Sequence, residues 1–366
     1  MDFALSEEQQ LLAETLRRFL AAECPIARIR ELVAREPGGE GGSWKALSEL
    51  GVAGLLVPEE HGGSGLSLLD AAVAAEALAW GAAPGPFLGS AVMAPVALRE
   101  AGTPEQQARW LPRLATGDCR IGVAASEVVA RRDGAGVEER GGRLHGTALM
   151  VVDGPAADAY LVPLGPGGER LALVDGSAAK LAGRALVTVD RTRAFAELVF
   201  DGTEVAEWLG GEAGARAATR RMLDAGRVAL AADLLGASGR ALELAVAYAM
   251  QRKQFDRVIG SFQAVKHLCA EMAAELEPAR SLVWYAAHAF DAAPEEATLL
   301  ACHAKAHLSE VGPFVVRTAT EVHGGIGFTD EQNLHYWFKR VGVDRQLLGT
   351  PEALREEAAR LQGWAG

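Results

Sequence analysis

The chain has 366 residues, 49% hydrophobic and 23% charged, which is typical of a globular protein of two or three domains. Its formal net charge of −12 argues against a protein that coats nucleic acid, because phosphate contacts require a basic face. No run approaches the roughly 18 apolar residues of a membrane span, and the acidic start of the chain is unlike a signal peptide. We therefore expect a cytoplasmic protein. Its four cysteines show no metal or redox spacing and are expected to be reduced. They are Cys24, Cys119, Cys269 and Cys302.

Residues 1–119 are predicted to form an N-terminal helical domain. Leucines recur at helical spacing over residues 5–20, with Ser6 ahead of them as an N-cap. Further helices are expected over residues 44–50 and 67–80, separated by segments rich in glycine and proline.

Residues 120–210 are predicted to form a small β-domain. Short apolar runs with β-branched residues alternate there with turn signals. Gly141-Gly142 and Asp201-Gly202 are typical of hairpin turns. The predicted strands lie at 121–123, 149–152, 160–162, 171–174, 186–189 and 198–200.

Residues 211–366 are predicted to be helical again. One very long helix is expected from Ala213 to about Lys253, and a second is expected to open at Ser261. Pro278 should kink this second helix, and a third runs over residues 294–323. The predicted fold class is α+β but mostly α: an N-terminal helical domain, a middle β-domain and a C-terminal four-helix bundle.

The segment that begins at Arg252 is the first candidate site. An arginine at a helix C-terminus can bind a phosphate through two hydrogen bonds, and Phe255 offers an apolar face nearby. Gln263 stands in the first turn of the next helix, where free N–H groups favour anions. The alternative interpretation is a basic helix-end loop around a buried phenylalanine.

A glycine-rich corner, Gly324-Gly325-Ile326-Gly327, follows the third helix. Such glycines let a backbone approach a ligand closely, although a sharp helix–helix corner would also require them. Together with the segment at Arg252, this corner resembles the acyl-CoA dehydrogenase family. Leu55–Gly63 and Trp110–Gly117 extend the resemblance over nearly the whole chain. The resemblance implies an α-domain, a β-domain and a four-helix bundle, with FAD and an acyl-CoA thioester as ligands.

The resemblance also assigns cofactor contacts residue by residue. Arg252, Phe255 and Gln263 would hold the pyrophosphate and adenosine half of an FAD whose flavin ring lies in the neighbouring subunit. Gly324 and Gly325 would let the backbone approach the same cofactor.

Five further positions match elements of the family's site. Glu321 stands where the family usually has Gln, which replaces a donor-capable amide by an acceptor. Ser126 resembles the residue whose hydroxyl reaches the flavin, and Thr350 matches the threonine of the family's Gly-Thr pair. Asp224 and Arg227, on one helix face, match the pair near the pantetheine; the alternative is an intrahelical surface pair.

The family's catalytic base is missing from both of its usual positions. The family removes the α-proton of the thioester with a Glu carboxylate, while the β-hydrogen leaves as hydride to the flavin. In most members this Glu precedes the Gly-Thr pair, where this chain has Leu348. In isovaleryl-type members it precedes an arginine of the long helix, where this chain has Gly226. Asp344 and Asp224 are the remaining candidates for a displaced base.

The flavin side of the β-domain departs from the family as well. Met150 and Val152 occupy the positions of the Trp and Thr that pack on the ring and bond it. Elements that would hold a neighbour's FAD are therefore kept, whereas those that serve a flavin in the same subunit are mostly absent.

Three functions are compatible with this pattern. The first is an acyl-CoA dehydrogenase subunit that completes the FAD site of a base-bearing paralogue within a tetramer. Such heteromers occur among bacterial enzymes that act on steroid-type acyl-CoA thioesters, and a flavoprotein would accept their electrons. The second is a self-sufficient homo-oligomeric dehydrogenase with a displaced base. The third is a non-catalytic binding protein without FAD, which the intact Arg252, Phe255 and Gln263 argue against.

No metal site is expected. His303 and His307 are one helical turn apart, a spacing that can bind a metal, but no third ligand with suitable spacing is visible. A solvated helix face is the preferred interpretation of this pair.

Overall fold

The computed structural model describes residues 4–35, 42–130 and 132–364. Its N-terminal part is helical, as predicted, and the first helix begins with a capping box. The Ser6 hydroxyl accepts a hydrogen bond from the Gln9 N–H, and the Gln9 side chain accepts one from the Ser6 N–H. The elements are α1 (Glu7–Glu23), α2 (Ile26–Arg35), α3 (Ser43–Glu49), α4 (Leu68–Trp80), a π-helical segment (Phe87–Met93), α5 (Ala94–Ala101) and α6 (Pro104–Ala115).

The middle of the chain forms a sheet. Its strands are β1 (Ile121–Val123), β2 (Gly136–Arg140), β3 (Arg143–Val152), β4 (Ala159–Leu164), β5 (Arg170–Asp175), β6 (Leu181–Leu186), β7 (Phe195–Glu204) and β8 (Glu207–Leu209). A short helix, α7 (Ser126–Val129), follows β1. The strand order is β6-β7-β3-β1-β4-β5-β8, with β2 paired to β3, and only the β1–β4 pairing in the described chain is parallel.

Two predictions for this sheet need correction, whereas the hairpin turn at Gly141-Gly142 is confirmed between β2 and β3. Asp201-Gly202 is no hairpin but a β-bulge inside β7. There Gly202, at φ +77°, is the residue that β3 leaves unpaired. The strand expected over 186–189 lies earlier, at Leu181–Leu186, because its pairing with β7 ends at Leu186 opposite Phe195.

The C-terminal part is a helical bundle, as predicted. Pro278 lies inside the second long helix, which continues through it. The elements are α8 (Glu212–Gln251), a small hairpin of β9 (Lys253–Gln254) and β10 (Arg257–Val258), α9 (Gln263–Ala292), α10 (Pro294–His323), α11 (His335–Gln346) and α12 (Pro351–Leu361).

Helix α8 is the central element of the fold. Every residue from Met222 to Ser238 is buried, because α8 packs against α4, α5, α9, α10 and α11. Small residues permit this close packing: a β-carbon on Gly236 would lie 2.0 Å from the Glu76 carbonyl oxygen of α4. Helices α9 and α10 run back and forth beside α8, so that the C-terminus of α10 returns to the C-terminus of α8. There the rings of Tyr248 and His323 stack with centroids 4.6 Å apart.

A buried ion cluster joins the three parts of the chain. Arg340 of α11 donates to both carboxylate oxygens of Asp233 in α8, at 2.7 and 2.6 Å, and to the Ala83 carbonyl that follows α4. Arg193, from the segment between β6 and β7, lies 2.7 Å from Asp233 and 2.8 Å from Asp344. These contacts fix the helical domain, the sheet and the bundle relative to one another.

Candidate active-site cleft and cofactor-binding hairpin

A cleft of about 640 Å³ opens between α8, α12 and α7. Asp224 and Arg227 of α8 both line it, and neither belongs to a surface pair, since their exposed fractions are 1% and 4%. Thr298 at the start of α10 donates a hydrogen bond of 2.7 Å to Asp224. The structure therefore brings the two predicted substrate-binding residues into one buried, polar wall.

Arg227 is held by several acceptors of its own chain. Its Nε donates to the Leu348 carbonyl at 3.2 Å, and its two Nη atoms donate to the Glu357 carboxylate at 3.1 and 2.8 Å. Asp224 lies further away, at 3.6 Å. The sequence patterns do not single out Glu357. This residue stands two turns after Thr350 and therefore lies on the same face of α12.

Burial raises the pKa of Asp224 to about 6, although Arg227 and the Thr298 hydroxyl act against the rise. Its Oδ1 atom accepts no hydrogen bond from the described residues. An incompletely satisfied carboxyl group therefore faces the cleft.

The two vacant base positions adjoin each other. A β-carbon on Gly226 would lie 2.7 Å from Leu348 Cδ1 and 3.0 Å from the Met93 sulfur. Leu348 is buried, with a left-handed backbone at φ +56°. The volume that both positions face is therefore filled by the apolar side chains of Leu348 and Met93.

The structure places Asp344 in the buried ion cluster, outside the lining of the cleft. Its side chain is fully buried against Arg193. Burial raises its pKa well above the usual range, and the neighbouring Asp233 adds to the rise. Arg193 and Arg340 have the opposite effect on Asp233 and hold its pKa below the usual range despite burial.

Ser126 and Thr350, the two other residues predicted to contact the flavin, lie near the cleft. The hydroxyl group of each forms a hydrogen bond within the chain. The Ser126 hydroxyl donates to the Met150 carbonyl at 3.4 Å, and Met150 sits in a bulge of β3 at φ +52°. The Thr350 hydroxyl accepts from the Ala353 N–H at 3.3 Å and caps α12. Both residues lie at the cleft end of the bundle.

The remaining predicted cofactor residues lie at the opposite end of the bundle. Arg252 ends α8, 25 residues after Arg227, which corresponds to about 38 Å at the helical rise of 1.5 Å per residue. Because α10 ends beside α8, that same end carries the three corner residues. They are Glu321, Gly324 and Gly325, and all three are exposed.

Phe255 stands at the tip of the hairpin formed by β9 and β10. It is 86% exposed, so the alternative of a loop around a buried phenylalanine is wrong. Phe255 and Asp256 have φ of +52° and +59°, a strained turn for two non-glycine residues. The guanidinium of Arg257 stacks on Phe262, 3.9 Å from the ring centroid. We call residues Arg252–Gln263 the hairpin arm.

The described residues contain no group of three or more His, Cys, Asp or Glu side chains placed to hold a metal. His303 is exposed on α10 and His307 is half-buried. Within the same described ranges, no helix is both long and apolar enough to cross a membrane.

The mostly helical fold with its inserted sheet, buried polar cleft and exposed basic hairpin arm suits an enzyme that binds a phosphate-bearing cofactor, and comparison with known proteins specifies the family. Residues 6–118 match the N-terminal domain of acyl-CoA dehydrogenases, and residues 212–362 match their C-terminal domain. The chain is 33% identical to the acyl-CoA dehydrogenase IpdE2 of Mycolicibacterium smegmatis over 98% of its length and 99% of the relative's. IpdE2 of Mycobacterium tuberculosis is 34% identical, with 97% and 96% covered. The chain therefore belongs to the acyl-CoA dehydrogenase family, whose enzymes are oxidoreductases acting on CH–CH bonds with FAD as cofactor.

Solved structures agree with this assignment. The ChsE4–ChsE5 complex of Mycobacterium tuberculosis superposes with a TM-score of 0.90 at 28% identity, with both chains covered completely. The Tcur3481–Tcur3483 steroid acyl-CoA dehydrogenase superposes with a TM-score of 0.86 at 31% identity, covering 98% of each chain.

The hairpin arm has the chemistry to hold the phosphate-bearing half of FAD. The Arg252 guanidinium is exposed and forms no ion pair with other described residues, so it is free to meet a phosphate. Phe255 presents an exposed ring, and Gln263 stands in the first turn of α9 with its side chain in solvent. The exposed residues of the hairpin arm are therefore chemically suited to the phosphate-bearing half of FAD.

Proposed function

We propose that this chain is one subunit of a heteromeric acyl-CoA dehydrogenase and that it completes the FAD site of a base-bearing paralogue. The observation that carries the proposal is the separation of about 38 Å along α8 between the hairpin arm and the chain's own cleft. Because the chain's own cleft lies at the other end of α8, we assign a cofactor held by Arg252 and Phe255 to the cleft of a neighbouring subunit.

The chain's own cleft supports the second half of this proposal. A base must touch the α-carbon of the thioester and accept its proton. Leu348 and Gly226 offer no acceptor, and Asp344 is paired inside the ion cluster. The cleft therefore lacks a placed carboxylate at either position that the family uses.

The solved relatives support a heteromer. The ChsE4–ChsE5 complex and the Tcur3481–Tcur3483 steroid enzyme are each named for a pair of different chains. By analogy we assign this chain a steroid-type or fatty acyl-CoA thioester, a cytoplasmic location, a tetramer of two such pairs and a flavoprotein as electron acceptor.

In this arrangement the chain contributes binding and orientation. Arg252 would neutralise the pyrophosphate, Phe255 would pack on the adenosine half, and the Gln263 amide would hydrogen-bond to it. The exposed backbone at Gly324 and Gly325 has open space where side chains would otherwise stand, which allows close approach. The chemistry that a bound FAD would supply is a hydride acceptor for the β-hydrogen of the thioester.

The test is to purify the chain alone and together with an acyl-CoA-dehydrogenase paralogue that carries the Glu. We expect the pair to co-elute as a tetramer with about one FAD per two chains, held in the paralogue's cleft. The isolated chain should retain little flavin absorbance. One FAD per chain in a homo-oligomer of this protein alone would contradict the proposal.

A further inference from the structure

Arg227 is a buried cation whose charge requires a partner. A guanidinium that is 4% exposed is stable only when acceptors surround it, because water cannot solvate its charge. Glu357 supplies the closest pair of acceptors, in the two-bonded geometry that matches a guanidinium, at 3.1 and 2.8 Å. Asp224 is further away, at 3.6 Å, and its Oδ1 receives no hydrogen bond in the described chain.

Position 348 adjoins the same guanidinium. The Leu348 carbonyl accepts from Arg227 Nε at 3.2 Å, and the Leu348 side chain lies over Gly226, the residue before Arg227. A carboxylate on residue 348 would therefore extend from a backbone that already contacts the Arg227 guanidinium, which puts that charge within its reach. In this chain that position holds hydrocarbon.

We propose that Glu357 is a positioning residue that takes the place of residue 348 as counter-ion of Arg227, and that this ion pair fastens α12 to α8 along the cleft. The inference rests on the proposed function, since it takes position 348 to be where a catalytic chain carries its base. It explains how Arg227 stays buried and charged although no carboxylate stands at 348. It also means that a Glu restored at 348 competes with Glu357 for one guanidinium.

The experiment compares thermal unfolding of the full-length chain in four forms: Glu357→Gln, Leu348→Glu, the double variant, and Glu357→Gln with Leu348→Gln. Glu357→Gln is expected to lower the midpoint by roughly 3 °C or more, because it leaves a buried cation without its nearest anion. Adding Leu348→Glu should recover most of that loss, since the new carboxylate can pair with Arg227. Adding Leu348→Gln should recover none of the lost midpoint, because Gln has the shape of Glu without its charge.

A double variant no more stable than Glu357→Gln, or equal recovery by Leu348→Gln, would overturn the inference. If the Glu357→Gln variant does not fold, the soluble yields of the single and double variants are compared instead. A double variant that is soluble and folded supports the exchange of counter-ions, whereas one that is as insoluble as the single variant contradicts it. Neither the unfolding midpoint nor the soluble yield depends on FAD, acyl-CoA or a partner subunit. A failure here is therefore distinct from a failure of the proposed function, which shows in flavin content and turnover.

Discussion

Leu348 lies directly over Gly226, so that a β-carbon on Gly226 would be 2.7 Å from Leu348 Cδ1. By resemblance to the acyl-CoA dehydrogenases, we take these as the two positions from which the family supplies its base, one on a helix and the other at the α11–α12 corner. The structure shows that both face one volume. In this chain that volume is closed by Leu348 and Met93, so neither position offers a carboxylate.

The contact predicts a coupling between the two residues. In an open helical position, Gly→Ala stabilises by roughly 0.5–1 kcal/mol, and Gly239 of α8 is such a position because a β-carbon there meets nothing within 4 Å. Gly226→Ala should lose this gain through its clash with Leu348 and Met93. Chemical denaturation should show that Leu348→Ala makes the effect of Gly226→Ala more favourable by about 1 kcal/mol, while leaving that of Gly239→Ala unchanged. Additive effects at Gly226 and Leu348 would contradict the contact.

The hairpin arm predicts a specific loss of cofactor. Removing a charge-assisted hydrogen-bonded pair costs about 1.5–3 kcal/mol, so Arg252→Ala should weaken FAD binding by the assembled complex roughly 10- to 100-fold. Fluorescence titration of the flavin-stripped complex measures this affinity. Lys253→Ala, on an exposed neighbour in the same arm, is the matched control and should have a much smaller effect. Unchanged FAD affinity in Arg252→Ala would remove this residue from the site.

The buried carboxyl group of Asp224 predicts a pH dependence of stability. Its pKa is raised from 3.8 to about 6, so its contribution is fully present below pH 3.8 and is lost as the pH rises through 6. Between pH 5 and 8 this loss amounts to roughly 1–1.5 kcal/mol. Asp224→Asn cannot ionise and still offers an oxygen to Thr298. Its free energy of unfolding relative to the wild type should rise by that amount from pH 5 to 8, and a pH-independent difference would contradict the assignment.

The ion cluster predicts unequal sensitivities to substitution for two neighbouring aspartates. Asp233 is ionised between Arg340 and Arg193, so Asp233→Asn should cost about 3–5 kcal/mol by leaving two buried cations under-compensated. Burial and the neighbouring Asp233 raise the pKa of Asp344, so its negative charge is less favoured than that of Asp233, and Asp344→Asn should cost less, about 1 kcal/mol. Urea denaturation of the two variants measures the difference. Equal losses would show that Asp344 is ionised in the folded chain.

The sequence predicted the long helices and the strands β1, β3, β4, β5 and β7 because their signals are local. Ser6 and Gln9 cap α1 within four residues, and Gly141-Gly142 closes a hairpin between adjacent strands. The prediction of a hairpin turn at Asp201-Gly202 was wrong because glycine is equally suited to a β-bulge. Only the pairing with a strand distant in sequence distinguishes a bulge from a turn.

The site was predictable only where a family motif covered it. The hairpin arm and the vacant base positions carry such motifs, whereas Glu357 and Arg193 do not. Glu357 meets Arg227 130 residues away in sequence, and Arg193 meets Asp344 151 residues away. Periodicity and spacing in the sequence cannot predict a contact that forms only when segments distant in sequence pack together. Burial of Asp224 and Arg227 likewise depends on how α10 and α12 cover α8.

The most direct test of the account is the turnover of the isolated chain. It would be assayed against a panel of acyl-CoA thioesters with saturating FAD and an artificial electron acceptor. A placed carboxylate base contributes about 10²–10⁴ in rate, and neither Leu348 nor Gly226 can supply it. We therefore predict negligible dehydrogenation by the chain alone and robust turnover once the base-bearing paralogue is added. Robust turnover by the chain alone, abolished by Asp344→Asn or Asp224→Asn, would show a complete enzyme with a displaced base and contradict the account.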